Sequence, residues 1–132
     1  MSPRSWLPLV VVFILASRAL AGDWPQWRGP AFNGSAPDEK NLPKTWSKTE
    51  GVAWTFDLPG PSASTPAVVG DKVFLSGAHL ANKTLHAMAL DRKTGKLLWE
   101  HKIADGYNRD NRSNFSSPSP VADATHVVFF YG

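Results

Sequence analysis

The chain alternates between short apolar runs and clusters of turn-forming residues. Runs of strand length, rich in β-branched and aromatic residues, cover residues 52–58, 67–69, 72–76, 84–90, 96–103, 120–122 and 126–131. Turn-forming pairs such as Gly70-Asp71, Asn82-Lys83 and Thr94-Gly95 lie between them. Beyond the first 21 residues no stretch of about ten residues keeps a helical period. The pattern therefore predicts an all-β chain of short antiparallel strands.

The pattern also repeats. The segment STPAVVGD at 64–71 is echoed by SSPSPVAD at 116–123, and a Val-aromatic run follows each copy. Trp54 and Trp99 precede the two copies in the same order and are 45 residues apart. A period of about 40 to 50 residues that holds about four strands is typical of a β-propeller blade. Such a blade cannot bury both faces of its sheet alone, so it needs neighbouring blades around it.

Within one copy, the strands are expected to run from the centre of the propeller outward. The innermost strand is residues 67–69, and the following strands are 72–76, 84–90 and 96–103. The Gly70-Asp71 pair between the first two suits a tight hairpin, because both residue types tolerate the positive φ of such turns.

The first 21 residues have the organisation of a secretory signal peptide. Arg4 gives a positive start, 7–16 form an apolar run too short to span a bilayer, and Ala19 and Ala21 form a small-residue cleavage site before Gly22. An uncleaved anchor or a buried helix is the alternative, but a cleavage pattern follows the run in place of a stop-transfer signal. The segment predicts a periplasmic or extracellular protein with no lasting membrane anchor.

Charge and cysteine content exclude several classes of function. Two of the 14 Lys and Arg residues, Arg4 and Arg18, belong to the predicted signal, so the remaining chain is close to neutral against its 11 acidic residues. No basic patch predicts a nucleic-acid partner. The chain has no cysteine, which excludes a disulfide framework, a thiolate metal site and lipid attachment through cysteine.

Residues 22–51 are predicted to form an N-terminal arm. The stretch 23–46 has four prolines and three tryptophans and shows neither helical nor strand periodicity. A flexible linker is the alternative, but linkers are poor in aromatic residues. We expect an ordered arm in which Trp24, Trp27 and Trp46 are covered, because their large apolar faces are costly to leave in water.

The candidate chemistry is sparse. The histidines follow no metal-ligand spacing such as HxH or HExxH, and each is expected to be a surface or strand residue: His79, His86, His101 and His126. The oxygen-rich segment 105–111 lacks the EF-hand order of ligands and is expected to be a solvated loop between blades. Serines beside prolines at strand entrances are expected to bond to local backbone, with no adjacent base to make one a nucleophile. The sequence therefore predicts no catalytic, cofactor or metal residue.

One motif resembles that of a known family. Ala89-x-Asp91-x-x-Thr94-Gly95-x-x-x-Trp99 is similar to the tryptophan-docking motif of the PQQ-like, quinoprotein-type β-propeller repeats. The resemblance implies that Asp91, Thr94 and Gly95 form the turn between the third and fourth strands. It also implies that Trp99 lies on the outer strand and packs between adjacent blades.

The start of the arm extends the resemblance. DWPQWRGPAFNG at 23–34 resembles the beginning of the mature region in secreted PQQ-like propellers of planctomycete-type bacteria. An eight-bladed member is much longer than 132 residues, so residues 52–132 are expected to form about one and a half blades of an N-terminal fragment. Residues 52–58 are then expected to be an outer strand of the blade that the C-terminal part completes.

The resemblance leaves two functions open. The first is an exported binding or protein-interaction scaffold, without catalysis by this segment, whose loops and central funnel hold a protein, peptide or glycan; similar propellers include a subunit of the outer-membrane barrel assembly machinery. The alternative is a dehydrogenase of alcohols or sugars that uses pyrroloquinoline quinone (PQQ) and Ca²⁺. In that enzyme family a ring of adjacent cysteines contacts the quinone, and this chain has none. The sequence therefore favours the scaffold, with no cofactor.

Overall fold

The computed structural model describes residues 22–40 and 42–132, so the predicted signal peptide with Ala19 and Ala21 lies outside the described residues. An antiparallel sheet contains β1 (Ala67–Val69), β2 (Lys72–His79), β3 (Thr84–Asp91) and β4 (Leu97–Asp105) in sequence order. A separate hairpin pairs β5 (Val121–Ala122) with β6 (Val127–Val128). The described part of the chain contains no helix, which confirms the predicted all-β class.

The central position of β2 and β3 in the sheet follows from their mainly apolar composition. Nearly every residue of β2 and β3 is buried, whereas β4, at the sheet edge, is largely exposed. Continuous apolar runs are typical of strands that are covered on both faces. Bulges interrupt the pairing of β3 with β4 at Leu85/His86 and at Ala89/Leu90, and they change the register of β4 relative to a regular ladder.

The predicted strand at 52–58 is wrong, because these residues form no strand in the structure. Trp54 and Phe56 nevertheless pack on the sheet through their side chains. The alternation of apolar residues in this segment therefore reflects side-chain burial without backbone pairing. Five predicted strands have different limits. β2 continues to His79, β3 continues to Asp91, and β4 runs from Leu97 to Asp105. The predicted strands at 120–122 and 126–131 are reduced to β5 and β6.

The sheet is covered on both faces. One face, called here the Met88 face, is built on four buried residues, with Trp54, Phe56 and Val68 packed against them: Val73, Leu75, Met88 and Leu90. The opposite face, called the Trp99 face, has Ala67, Phe74 and Ala89 in its core. The second copy of the repeat packs there through Ala122, Val127 and Phe129. The two copies therefore share one hydrophobic core.

Buried serines join the two copies. The Ser76 hydroxyl lies 3.1 Å from the carbonyl oxygens of both Ser116 and Pro118, and Ser116 Oγ donates to Pro61 O at 2.9 Å. Thr65 N donates to Ser119 Oγ at 2.9 Å. The expectation of local serine bonds holds for Ser117, whose Oγ accepts from Asn114 N at 3.0 Å. It is wrong for Ser116 and Ser119, whose bonds join segments 55 and 54 residues apart in sequence.

The arm is attached at its beginning. Trp24 and Val68 exchange two backbone hydrogen bonds of 2.7 and 2.8 Å, and Ala122 N donates to Pro25 O at 2.8 Å. Trp27 and Trp46 remain 63% and 72% exposed. The expectation that all three tryptophans are covered is therefore wrong for these two, because the backbone bonds attach only the segment around Trp24.

Candidate functional site

The motif that resembles a docking sequence forms the turn between β3 and β4. Asp91 Oδ1 accepts hydrogen bonds from Thr94 N at 2.7 Å and from Thr94 Oγ1 at 2.6 Å. Gly95 N donates to Asp91 O at 2.8 Å, and Gly95 has a φ of 70°. The Thr94 bonds are the main reason why the pKa of Asp91 lies below its usual value. An ionised aspartate is thus part of the turn.

Trp99 lies on β4 and contacts both copies of the repeat. Its ring centroid is 6.1 Å from that of Phe74 on β2 and 6.2 Å from that of Phe129, which follows β6. Ala89, fully buried on β3, is the register partner of both Phe74 and Trp99. Its small side chain leaves room for the two rings to approach each other over the central strand.

A second tryptophan packs on the turn from the opposite side of the sheet. Trp54 Nε1 donates to Arg92 O at 2.9 Å, and the indole ring lies directly over Gly95. A Cβ atom added at Gly95 would overlap this ring. Glycine is therefore required at position 95 for two reasons: the backbone has a positive φ, and the Trp54 indole occupies the space that a Cβ atom would need.

The structure also brings together three residues that the sequence did not group. His79 on β2, His86 on β3 and Glu100 on β4 each offer one ligand atom, and these atoms lie within 4.8 Å of one another. Glu100 Oε1 is 2.7 Å from His79 Nε2 and 2.9 Å from His86 Nδ1. Among the described residues no other group of three histidine or acidic side chains has this geometry.

Strand register explains the cluster. His86 pairs with Gly77, two residues before His79, and Glu100 pairs with Met88, two residues after His86. Residues two apart on a strand point to the same face, so all three lie on the Met88 face along one diagonal across three strands. Long side chains at diagonal positions on neighbouring strands can contact each other. The Glu100 carboxylate contacts both imidazoles in this way.

His86 is the most constrained member of the cluster. Its Nε2 is paired with Thr84 Oγ1 at 2.8 Å, and its ring stacks on His79 with centroids 4.0 Å apart and an interplanar angle of 28°. Its buried Nδ1 has no hydrogen-bond partner of acceptable geometry, although Glu100 Oε1 is close. Burial and then the neighbouring His79 lower the pKa of His86, and Glu100 opposes them. The ring is therefore held neutral.

The sequence did not predict this cluster, because the expected limits of β2 were too short. The predicted strand ended at residue 76, which left His79 in a loop, whereas the observed β2 ends at His79. Extending that strand through His79 and closing the hairpin at 80–83 would have placed His79 and His86 on one face. Glu100 could not have been added, because the bulge at Ala89/Leu90 sets the register that places Glu100 opposite Met88.

The other candidates stay apart. His101 is exposed beside the Trp99 ring, at a centroid distance of 5.1 Å, and His126 is exposed in the turn before β6. In the segment 105–111, Asp110 Oδ1 accepts hydrogen bonds from the backbone N–H groups of Arg112 and Ser113 at 2.7 and 2.6 Å. That carboxylate thus accepts hydrogen bonds from the backbone of its own turn.

Comparisons of the chain with protein-family models, curated proteins and solved structures found no match. Within residues 22–40 and 42–132, no helix has the length and apolar character needed to cross a membrane.

Proposed function

We propose that the chain belongs to an exported PQQ-like β-propeller that acts as a binding scaffold for a protein, peptide or glycan. The observation that carries this proposal is the packing of the two repeat copies. The β5–β6 hairpin follows the β1–β4 sheet in the chain, and β5 contacts β1. Its residues and those after it cover the Trp99 face. A blade packed on the face of its neighbour is the arrangement that a propeller needs.

The turn motif gives further support. Trp54 and Trp99 occupy equivalent places before the two copies, and each packs on the β1–β4 sheet, on opposite faces. A tryptophan on each face suits a sheet that lies between two neighbours. Export itself is proposed from the N-terminal sequence and from the similarity of residues 23–34 to secreted members of the family.

The quinone dehydrogenase fits the described residues less well. The chain has no cysteine for the ring that contacts the quinone in that family, and Asp110 in the oxygen-rich segment is used by local backbone bonds. No described residue can be matched to the quinone or Ca²⁺ contacts of that family, so we propose no catalytic role for this segment.

Two measurements on the full-length secreted chain test the proposal. Electron microscopy should show a closed ring of blades, and an open or elongated stack of sheets would overturn the propeller. Titration with PQQ and Ca²⁺ should give no saturable change in the quinone spectrum and no dye-linked oxidation of alcohols or sugars. Saturable binding with turnover would replace the scaffold by the enzyme.

A further inference from the structure

The strongest feature outside the proposed function is the cluster formed by His79, His86 and Glu100 on the Met88 face. All three residues belong to the β1–β4 sheet. From its geometry we infer that His79 Nε2, His86 Nδ1 and Glu100 Oε1 form a binding site for a divalent transition-metal ion of the Zn²⁺ class.

The ligand atoms suit that class of ion. Two imidazole nitrogens and one carboxylate oxygen are a known zinc ligand set, in which a fourth position is left to water. Ca²⁺ and Mg²⁺ prefer sites built from oxygen atoms alone, so this mixed set discriminates against them.

The two distances that involve the carboxylate are close to those that a metal requires, and the two nitrogens lie within 4.8 Å of each other. Tetrahedral ligands about 2 Å from zinc are about 3.3 Å from one another. The carboxylate oxygen now lies 2.7 and 2.9 Å from the two nitrogens. Binding therefore requires Glu100 to move outward by a few tenths of an ångström, which a glutamate on an edge strand can do by rotating its side chain. The stacked imidazoles must also turn, so that both nitrogens point at the ion.

The surroundings of His86 favour a cation between it and the carboxylate. When Nε2 donates its proton to Thr84 Oγ1, Nδ1 carries a lone pair and lies 2.9 Å from Glu100 Oε1, so two acceptor atoms are in contact. Nδ1 is buried and lacks a partner of acceptable geometry. A metal ion would satisfy both acceptors, and the Thr84 bond would orient the ring as outer-shell partners of metal-bound histidines do.

Solvent can reach the site, and the charge of a neighbouring lysine is partly offset. The side chains of His79 and Glu100 are 30% and 26% exposed, which provides an entry path and a place for a water ligand. Lys102, the register partner of His86, forms an ion pair of 2.7 Å with Asp105. Its charge is thereby partly offset.

The primary test is calorimetric titration of the full-length chain with ZnCl₂ after removal of metals by a chelator. We expect one saturable zinc site per chain and no binding of MgCl₂. His79→Gln, His86→Gln and Glu100→Gln should each weaken zinc binding by about 100-fold, and Thr84→Val by about tenfold. His126→Gln is the matched control and should leave the affinity unchanged.

A second measurement needs no substitution and so does not depend on the folding of variants. Zinc added to the unmutated chain with ¹⁵N-labelled histidine should shift the imidazole nitrogen signals of His79 and His86 and leave those of His101 and His126 in place. The inference is overturned if the unmutated chain shows no saturable zinc binding, or if the three ligand variants bind as tightly as the unmutated chain. Imidazole shifts confined to His101 or His126 would overturn it as well.

Discussion

At the scale of single residues, two glycines have the same backbone conformation in different surroundings. Gly70 has a φ of 58° and Gly95 a φ of 70°. A Cβ added at Gly70 would meet nothing within 4 Å, whereas one at Gly95 would overlap the Trp54 ring. Substitutions at the two positions therefore separate the cost of backbone strain from the cost of a steric overlap with Trp54.

We expect Gly95→Ala to destabilise the protein more than Gly70→Ala. The left-handed conformation costs a residue with a Cβ about 1–2 kcal/mol at either position. Displacement of Trp54 should add about 1–3 kcal/mol at position 95 alone. Urea unfolding of both full-length variants measures the difference. Equal losses in the free energy of unfolding for the two variants would show that the packing of Trp54 does not require a glycine at position 95.

The carboxylate of Asp91 gives a pH-dependent prediction. Thr94 lowers the folded-state pKa of Asp91 below the ordinary value of 3.8, so its stabilising effect is present above that value. It is lost as the pH falls through the folded-state pKa. We expect Asp91→Asn to lower the melting temperature at neutral pH, and the gap from the unmutated chain should shrink towards about pH 2. A gap that is constant with pH would contradict this role for the charge.

At the scale of elements, contacts between neighbouring strands and copies decide which apolar residues are buried. Trp99 on β4 has the Phe74 ring on one side and the Phe129 ring on another. Leu97 and Leu98, close to it on the same strand, remain exposed. Trp99 is thus the residue through which the outer strand reaches the core shared by the two copies.

Trp99 is partly buried, so Trp99→Ala should destabilise the full-length protein by up to about 3–5 kcal/mol, the cost of truncating a fully buried large aromatic residue. Trp46→Ala removes a ring of the same size that is largely exposed, and should change stability by no more than about 0.5 kcal/mol. Both variants can be compared by thermal or urea unfolding. Similar effects at the two positions would argue against the packing of β4 on the second copy.

At the scale of the whole molecule, the arm connects the two copies at β1 and β5. Val68 N on β1 donates to Trp24 O, and Ala122 N on β5 donates to Pro25 O, both at 2.8 Å. Arg92, in the turn after β3, adds a bond of 3.0 Å to Gly22 O. The beginning of the arm is therefore held to the β1–β4 sheet and to the β5–β6 hairpin at once.

Trp24→Ala should loosen this attachment, because the Trp24 ring lies over Gly29 and fixes the turn that follows. Hydrogen exchange at the amides of Val68 and Ala122 should become about tenfold faster, while the amide of Met88 in the central strand should be unaffected. Trp27→Ala, at an exposed ring, is the control and should leave all three amides unchanged. Faster exchange at Met88 as well would indicate global destabilisation in place of arm release.

The sequence by itself determined the all-β class, the limits of β1 and the turn formed by Asp91, Thr94 and Gly95. These features depend on local chemistry: apolar alternation, side chains that bond to their own turn, and glycine at positive φ. It did not determine the fate of residues 52–58, whose apolar side chains are buried without strand pairing.

Only the tertiary structure decided the long-range contacts. The cluster of His79, His86 and Glu100 depends on the register of three strands and on a bulge between two of them. The bond from Ser116 to Pro61 depends on how the second copy packs on the first. Register changes with the insertion of a single residue, and packing depends on surfaces distant in sequence, so neither is encoded by local pattern.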